Sequence, residues 1–305
     1  MSRAPSLHTA KPARVTDGPP RFLSLRISPL NARRLVNFRR NRRGRWALWA
    51  FLVLFLGTLP AEFIANDRPL AVWYEGALYT PVLNTYAETV FGGDFETEAE
   101  YREIDVQELI TDKGGWILWP AVRYSYNTVN LNLKVPAPAP PSGDNWLGTD
   151  DQGRDVMARV IYGFRISVLF GLILTIIGSI IGIVAGAFQG YFGGWLDLIA
   201  QRFIEIWGGL PQLYILIILS SVIIPGFWTL LLILLLFGWT SLVGVVRAEF
   251  LRARNFEFIK AARALGVGNV TIMFRHVLPN AMVATLTFLP LILTGSITSL
   301  TALDF

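Results

Sequence analysis

The chain of 305 residues contains no cysteine and only two histidines, His8 and His276. Without cysteine it can form neither a disulfide nor a thiolate metal site, and two histidines are too few for a histidine-based metal centre. Charged residues are also scarce, at 16%, compared with about 25% in a typical soluble domain. We therefore expect no metal centre, and any exported part must be held together by packing alone.

Much of the sequence consists of long apolar stretches without charged residues. Hydrophobic residues make up 53% of the sequence and the mean hydropathy is +0.46. A stretch of about 18 or more apolar residues is long enough to cross a bilayer as a helix. The sequence therefore predicts an all-α, multi-pass integral membrane protein with helical segments at 46–65, 166–187, 198–224, 229–246 and from 281 onward. The last segment is still apolar at Phe305, so we expect the chain to be incomplete at its C-terminus.

Charge is distributed unevenly along the chain. Residues 1–45 contain 12 Lys or Arg and one Asp, whereas residues 66–155 contain 6 Lys or Arg and 15 Asp or Glu. Since basic flanks stay in the cytoplasm, the N-terminal tail 1–45 is predicted to be cytoplasmic and 66–145 to be a periplasmic insert of mixed secondary structure. The loop 247–280 has six basic residues and two Glu, which places it in the cytoplasm by the same rule.

The basic run Arg39–Arg45 has two interpretations. It could be a nucleic-acid-binding arm or an anchor for anionic membrane lipid, and an apolar segment that begins directly after it favours the lipid anchor.

Glycine and proline predict local features of the membrane segments. Gly178, Gly182 and Gly186 share one helical face, which permits close packing either within one subunit or at a dimer face that lines a pathway. Pro211 is predicted to kink or restart its helix. The segment 135–143 contains four prolines and is predicted to be a stiff spacer.

The loop 247–280 is predicted to form a helix–turn–helix. Phe258, Ala261, Ala262 and Leu265 would lie on or near one face of the first helix, with charged residues around them. Gly266 can adopt a positive φ and end that helix. A second helix at about 269–277 would follow, and Leu278–Pro279 would turn the chain back into the membrane.

This loop resembles the EAA coupling loop of ABC-importer permeases, in the form typical of peptide importers. The residues that carry the resemblance are Glu257, Phe258, Ile259, Lys260, Ala261, Ala262, Gly266, His276, Leu278, Pro279 and Asn280. Lys260 and His276 stand where the general pattern has Glu and Ile. The resemblance implies that the loop binds an ATPase subunit.

A second motif precedes the second membrane segment and resembles the "C"-type peptide permeases. Its residues are Gly148, Thr149, Asp150, Gly153, Arg154 and Asp155. They could contact the substrate or a binding protein, or form a structural turn in which Asp155 caps the helix. The structural role is favoured. The long insert and the segment 245–252 are most similar to the E-subunit branch of Yej-type peptide importers.

The resemblance implies a type-1 ABC-importer transmembrane domain with its core at 146–305, in the bacterial inner membrane. The chain would pair with a second permease, two ATPase subunits and a periplasmic peptide-binding protein. ATP and Mg would be bound by the ATPases, so this chain would have no cofactor and no catalytic residues of its own. Peptides would be imported by alternating access.

Two other functions fit the composition less well. A secondary transporter driven by an ion gradient usually holds ionisable groups deep in the membrane, and the middles of the second, fourth and fifth segments have none. A membrane-embedded enzyme would need a nucleophile with a base or a metal site, and those segments offer only Ser and Thr hydroxyl groups.

Overall fold

The computed structural model describes residues 21–22, 25–26, 36–223 and 226–301. The chain divides into two compact units, 1–57 and 58–305. In the first unit, β1 (Arg21–Phe22) and β2 (Leu25–Arg26) form an antiparallel pair. Residues 36–40 are helical, and α1 (Arg42–Thr58) follows. Most of the predicted tail 1–45 lies outside the described residues.

α1 carries most of the stretch predicted to be the first membrane segment. Asn41 caps the N-terminus of the helix, since its side chain accepts a hydrogen bond of 3.0 Å from the backbone N–H of Gly44. The helix contains 17 residues, and none of its described side chains is buried. It starts within the arginine run and ends at Thr58, and the remainder of the predicted segment forms a separate short helix.

The second unit contains the insert and the long helices. Its strands are β3 (Ala71–Tyr74), β4 (Ala77–Tyr79) and β5 (Trp116–Leu118). The helical elements that precede the long helices are α2 (Ala61–Ile64), a 3-10 turn (Glu88–Phe91) and α3 (Ile104–Asp112). The later helices are α4 (Val156–Phe192), α5 (Gly194–Gly208), α6 (Gln212–Val222), α7 (Phe227–Gly238), a 3-10 turn (Trp239–Leu242), α8 (Val243–Ala253), α9 (Glu257–Ala264), α10 (Asn269–Thr271), a π-helical turn (Ile272–Val277) and α11 (Leu278–Thr301).

The insert folds as a small unit that contains both strands and helix, as predicted for 66–145. Its three strands form an antiparallel sheet in the order β4–β3–β5. Val72 and Tyr74 of the central strand point into a core that they share with Val106 and Ile110 of α3. Burial raises the pKa of the Tyr101 hydroxyl in the same core.

The segment 61–65, directly before the insert, is fixed to the start of α4 by side chains that lie far apart in the sequence. The Tyr162 hydroxyl donates to the carbonyl of Ala65 at 2.9 Å, and Arg165 forms two hydrogen bonds of 2.8 Å with Glu62. Ala61, Ala65, Val122, Tyr124, Ala158, Ile161 and Tyr162 form an apolar cluster at this junction.

In the part of the chain that the structure describes, three helices are long and apolar enough to cross a membrane: Val156–Phe192, Phe227–Ala253 and Asn269–Thr301. The first begins ten residues before the predicted start at 166, and it contains 37 residues, about 55 Å at 1.5 Å per residue. The charge of Arg165 interrupts the apolar stretch, so the sequence pattern did not predict this extension. That charge is paired with Glu62 of α2, so the helix continues along a protein surface.

The predicted segment at 198–224 consists of two helices. α5 ends at Gly208 and α6 begins at Gln212, directly after Pro211, which confirms that this proline restarts the helix. Residues 224 and 225, at the end of this predicted segment, are not described.

The glycine face of α4 packs within the subunit. Gly178, Gly182 and Gly186 are buried. A Cβ added at Gly186 would lie 2.7 Å from the carbonyl oxygen of Val243, so α8 packs against the backbone of α4. Gly190 extends this series, since a Cβ there would lie 2.5 Å from the carbonyl oxygen of Arg247.

The segment 135–143 is attached to the rest of the unit. Ala139 N donates to the Thr149 hydroxyl at 2.9 Å, and Thr149 N donates to the Ala139 carbonyl at 3.0 Å. The prediction of a spacer was therefore wrong, because these two hydrogen bonds hold the proline-rich segment against the motif at 148–155.

Leu278 and Pro279 do not turn the chain. Residues 269–301 form one continuous helical segment, with a π-helical turn at Ile272–Val277 immediately before Pro279. The predicted turn was wrong. A proline lacks a backbone N–H and disturbs the α-helical ladder, and the wider π turn accommodates that defect without ending the helix.

Candidate functional site

The first helix of the loop ends in a Schellman motif. Gly266 N donates to the carbonyl of Arg263 at 2.9 Å, and Val267 N donates to the carbonyl of Ala262 at 3.1 Å. This pattern requires a left-handed residue after the helix, and Gly266 has φ +77°. The structure thus confirms the predicted helix end, and the turn fixes the direction in which the chain leaves α9.

One side of α9 is anchored in the subunit. Ile259 is fully buried, and Ala262 and Val267 are partly buried against the same apolar cluster. The buried members of that cluster come from α4, α8, α9, the π turn, α11 and the 3-10 turn before α8: Ala187, Tyr191, Leu242, Val246, Phe250, Ala253, Ile259, Ile272, Met273, Val277 and Ala281. The loop is therefore a packed part of the helical core.

The other side of α9 is exposed and apolar. Phe258, Ala261 and Leu265 share it at the spacing i, i+3, i+7, and Leu265 is 83% exposed. Ala262 was predicted near this side, but it faces the cluster with Ile259, three residues before it. We call Phe258, Ala261 and Leu265 the loop face. An exposed apolar group of this kind is typical of a surface that binds another protein.

Charged side chains surround the loop face. Glu257 and Lys260 form an exposed ion pair of 3.0 Å. The Arg263 guanidinium lies 4.8 Å from the centre of the Tyr191 ring, and the Tyr191 hydroxyl donates to Asn269 Oδ1 at 2.8 Å. Arg263 and Asn269 thus hold the loop to α4, while Glu257 and Lys260 remain accessible to a partner.

The last residues of the predicted coupling motif lie at the start of the final helix. The His276 carbonyl accepts a hydrogen bond of 2.9 Å from the Asn280 side chain. Leu278 packs against the cluster beneath α9, and Pro279 is exposed. The structure thus brings Ala262 and Leu278 to one cluster, while Glu257, Ala261 and Pro279 lie on the surface.

The second motif forms a closed turn around Asp150. Its carboxylate accepts hydrogen bonds of 2.9 Å from the backbone N–H groups of Gln152 and Arg154, and one of 2.8 Å from Arg154 Nε. Arg159 also pairs with it. Burial alone would raise the pKa of Asp150, but the hydrogen bonds from Arg154 and Arg159 outweigh it and hold the pKa below the usual carboxyl value.

Asp155 caps α4. Its side chain is fully buried, accepts a hydrogen bond of 2.7 Å from Ala158 N, and accepts a second of 2.8 Å from Asn145 Nδ2. The predicted helix cap is therefore present. Gly148 has φ +76° and Gly153 has φ +77°, which are conformations that favour glycine.

Sequence reasoning missed a buried polar network beside this cap. Asn130 Nδ2 donates to the Tyr124 hydroxyl at 2.9 Å and to Asn145 Oδ1 at 3.1 Å. The Arg102 guanidinium lies 4.0 Å from the centre of the Tyr124 ring, and burial raises the pKa of Tyr124. No spacing pattern links these residues, so only the fold could bring them together. Within the described ranges, no group of three or more His, Cys, Asp or Glu side chains could hold a metal ion.

Comparison with known proteins places these features in one family. Residues 178–305 match the model of the family described as "Binding-protein-dependent transport system inner membrane component". The peptidoglycan transport system permease protein YejE of Agrobacterium fabrum is 57% identical over 303 residues, covering 92% of this chain and 79% of that protein.

Other relatives carry related names. The inner membrane ABC transporter permease protein YejE of Escherichia coli is 56% identical, covering 92% of this chain and 82% of the relative. The oligopeptide transport system permease protein OppC of Bacillus subtilis is 34% identical over 160 residues, covering 52% of each chain. Together with the three membrane-length helices found among the described residues, this sequence identity shows that the chain is a mostly helical, multi-pass inner-membrane protein that belongs to the family of permease components of binding-protein-dependent ABC importers.

Proposed function

We propose that this chain is one permease subunit of a peptide importer, which pairs with a second permease to form the passage. The loop face carries this proposal, because it presents an exposed apolar helix side on a firmly anchored loop. Relatives named as oligopeptide and dipeptide permeases support peptides as the substrate class. Two ATPase subunits would bind ATP and Mg, and a periplasmic peptide-binding protein would deliver the substrate.

The packing of the loop explains how an ATPase could move the helices. Ile259 is buried in a cluster that includes residues of α4, α8 and α11, so displacement of α9 cannot be absorbed within the loop. When two ATPases close on ATP, both loop faces would be drawn together and the helices would follow as rigid bodies. Hydrolysis would then restore the first state.

The topology belongs to the same proposal. The tail 1–45 and the coupling loop 247–280 lie in the cytoplasm, 46–65 is the first membrane segment, and 66–145 is periplasmic. The core at 146–305 forms the permease domain. Charge asymmetry supports this arrangement. Reporter fusions at residues 40 and 110 should report opposite sides of the membrane, and the same side for both would contradict it.

Reconstitution tests the function directly. The complete complex in proteoliposomes should take up a labelled oligopeptide only with ATP and the binding protein present. Leu265→Asp should abolish ATPase binding and uptake, because it places a charge on the loop face. Leu131→Asp is the matched control, since Leu131 is a similarly exposed leucine that lies in the insert and outside the membrane-length helices. Uptake that continues without ATP would overturn the proposal.

A further inference from the structure

A cavity of about 540 Å³ lies among the central parts of the long helices. Leu174 and Gly178 are near the middle of α4, and the other walls come from the α5–α6 break, the end of α7 with the 3-10 turn after it, and α11. The polar side chains in its lining are Gln212, Thr240, Ser241, Ser296 and Ser299. Among the described residues that line it, none carries a charge.

Two glycines in the lining, Gly208 and Gly295, have open space beside them. A Cβ added at Gly208 or Gly295 would meet nothing within 4 Å. Packing within the described part of the subunit therefore does not require glycine at either position. At Gly186, by contrast, an added Cβ would meet the backbone of α8. The space beside Gly208 and Gly295 is therefore not filled by other parts of the described chain.

The interrupted helix provides a second, independent argument. The chain between Gly208 and Gln212 is not α-helical, and Gly208, Leu210 and Gln212 all line the cavity. Within a membrane-embedded domain, irregular backbone is tolerated where it is buried in protein or lines a water-filled space. Because the non-helical chain between Gly208 and Gln212 forms part of the cavity wall, we expect the cavity to be hydrated when the protein is in a membrane.

The chemistry of the lining suits a peptide main chain. The Thr240 and Ser241 hydroxyls donate to carbonyl oxygens of their own helix and therefore offer acceptors, whereas the remaining hydroxyl and carboxamide groups can both donate and accept. A peptide offers one N–H and one C=O at nearly every residue. These backbone groups are costly to bury without partners. An uncharged lining, however, gives no fixed preference for a cationic or an anionic side chain.

We infer that this cavity is the section of the passage that contacts the peptide main chain, and that it does not select peptides by side-chain charge. This inference rests on the proposed function. It assigns to Ser299 and Thr240 a role in contacting substrate, and it leaves charge selection to the partners that deliver the peptide.

The test installs a charge in the cavity after folding. The chain has no cysteine, so Ser299→Cys can be modified selectively, in a complex whose partner subunits are also free of cysteine. An anionic methanethiosulfonate should raise the ratio of cationic to anionic peptide uptake by about tenfold or more, and a cationic one should lower it by a similar factor. Each ratio is compared with that of the unmodified complex, so selection by the binding protein cancels.

Thr298→Cys is the matched control. Thr298 precedes Ser299 on α11, is exposed, and is not part of the cavity lining. Its modification should leave the uptake ratio unchanged. Equal ratios after both modifications of Ser299→Cys, or no reaction of that thiol with either reagent, would overturn the inference while uptake by the parent complex continued. Failure of the parent complex to import any peptide would instead contradict the proposed function.

Discussion

Arg247 and Asp197 form a two-point ion pair that joins α8 to the first turn of α5. Arg247 Nη2 lies 2.6 Å from Asp197 Oδ2, and Arg247 Nε also donates to Asp197 Oδ1. The Asp197 side chain is only 10% exposed. α8 leads into the loop that carries the loop face, so this pair fixes the helix through which movement of the loop would pass.

Removal of either partner should destabilise the subunit. Asp197→Ala leaves the Arg247 guanidinium partly buried without its carboxylate, and we expect a loss of about 3 kcal/mol. A double-mutant cycle with Arg247→Ala, measured by thermal unfolding in detergent, should give a coupling energy above about 1 kcal/mol. Arg202→Ala is the control, because its pair with Glu205 is exposed and contributes little. Additive effects of the two substitutions would show that the pair does not act as a unit.

The close approach of α4 and α8 gives a second prediction. Gly186→Ala should lower the free energy of unfolding by about 1–3 kcal/mol, because its Cβ would lie 2.7 Å from the Val243 carbonyl oxygen. Gly244→Ala, on the facing helix, should be neutral or stabilising, since nothing lies within 4 Å of its added Cβ. The melting temperatures of the two variants in detergent, each compared with that of the parent, measure these effects. Equal shifts would contradict the packing described for α4.

The two neighbouring alanines of α9 should behave differently. Ala261→Asp changes the exposed loop face, so we expect a stable subunit that binds the ATPase at least about tenfold more weakly. Ala262→Asp places a carboxylate against the apolar cluster beneath α9, so it should also lower thermal stability. Co-purification of the ATPase and melting of the isolated subunit separate the two effects. A melting temperature lowered equally by both would show that the loop faces are assigned incorrectly.

The Asp155 cap should matter more than the neighbouring surface carboxylate. Asp155→Ala removes the hydrogen bonds from Ala158 N and Asn145 Nδ2, and we expect a loss of about 2–3 kcal/mol. Asp151→Ala is a suitable control because Asp151 is exposed. Protease resistance of the junction between the insert and α4 reports the change. If the two variants are cleaved by protease at the same rate, the cap does not hold this junction.

Asp150 predicts a dependence of local stability on pH. Its folded pKa is lowered, so its carboxylate stabilises the turn above the unfolded value, about 3.9. This contribution is lost as the pH falls through the lower folded pKa. Asp150→Asn should therefore increase amide hydrogen exchange at 148–156 at pH 7, and the difference from the parent should vanish in strong acid. A constant difference at all pH values would rule out the carboxylate as its source.

Part of the site could be predicted because it depends on local chemistry. Gly266 ends α9 since a left-handed residue must follow this kind of helix end, and that requirement involves only neighbouring residues. The Asp155 cap and the restart at Pro211 are local for the same reason. The continuation of the helix through Pro279 was missed, because a π turn depends on how the whole segment packs.

By itself, the sequence determined the apolar segments, the charge asymmetry and the positions of the two family motifs, because each is a property of consecutive residues. Only the tertiary structure decided which side of each element is used. It turned Ala262 inward, buried the glycine series of α4 against α7, the 3-10 turn and α8, and paired Arg247 with Asp197, fifty residues away. A helical or glycine pattern defines a face but not its partner, and the partner is chosen when the separate helices pack together.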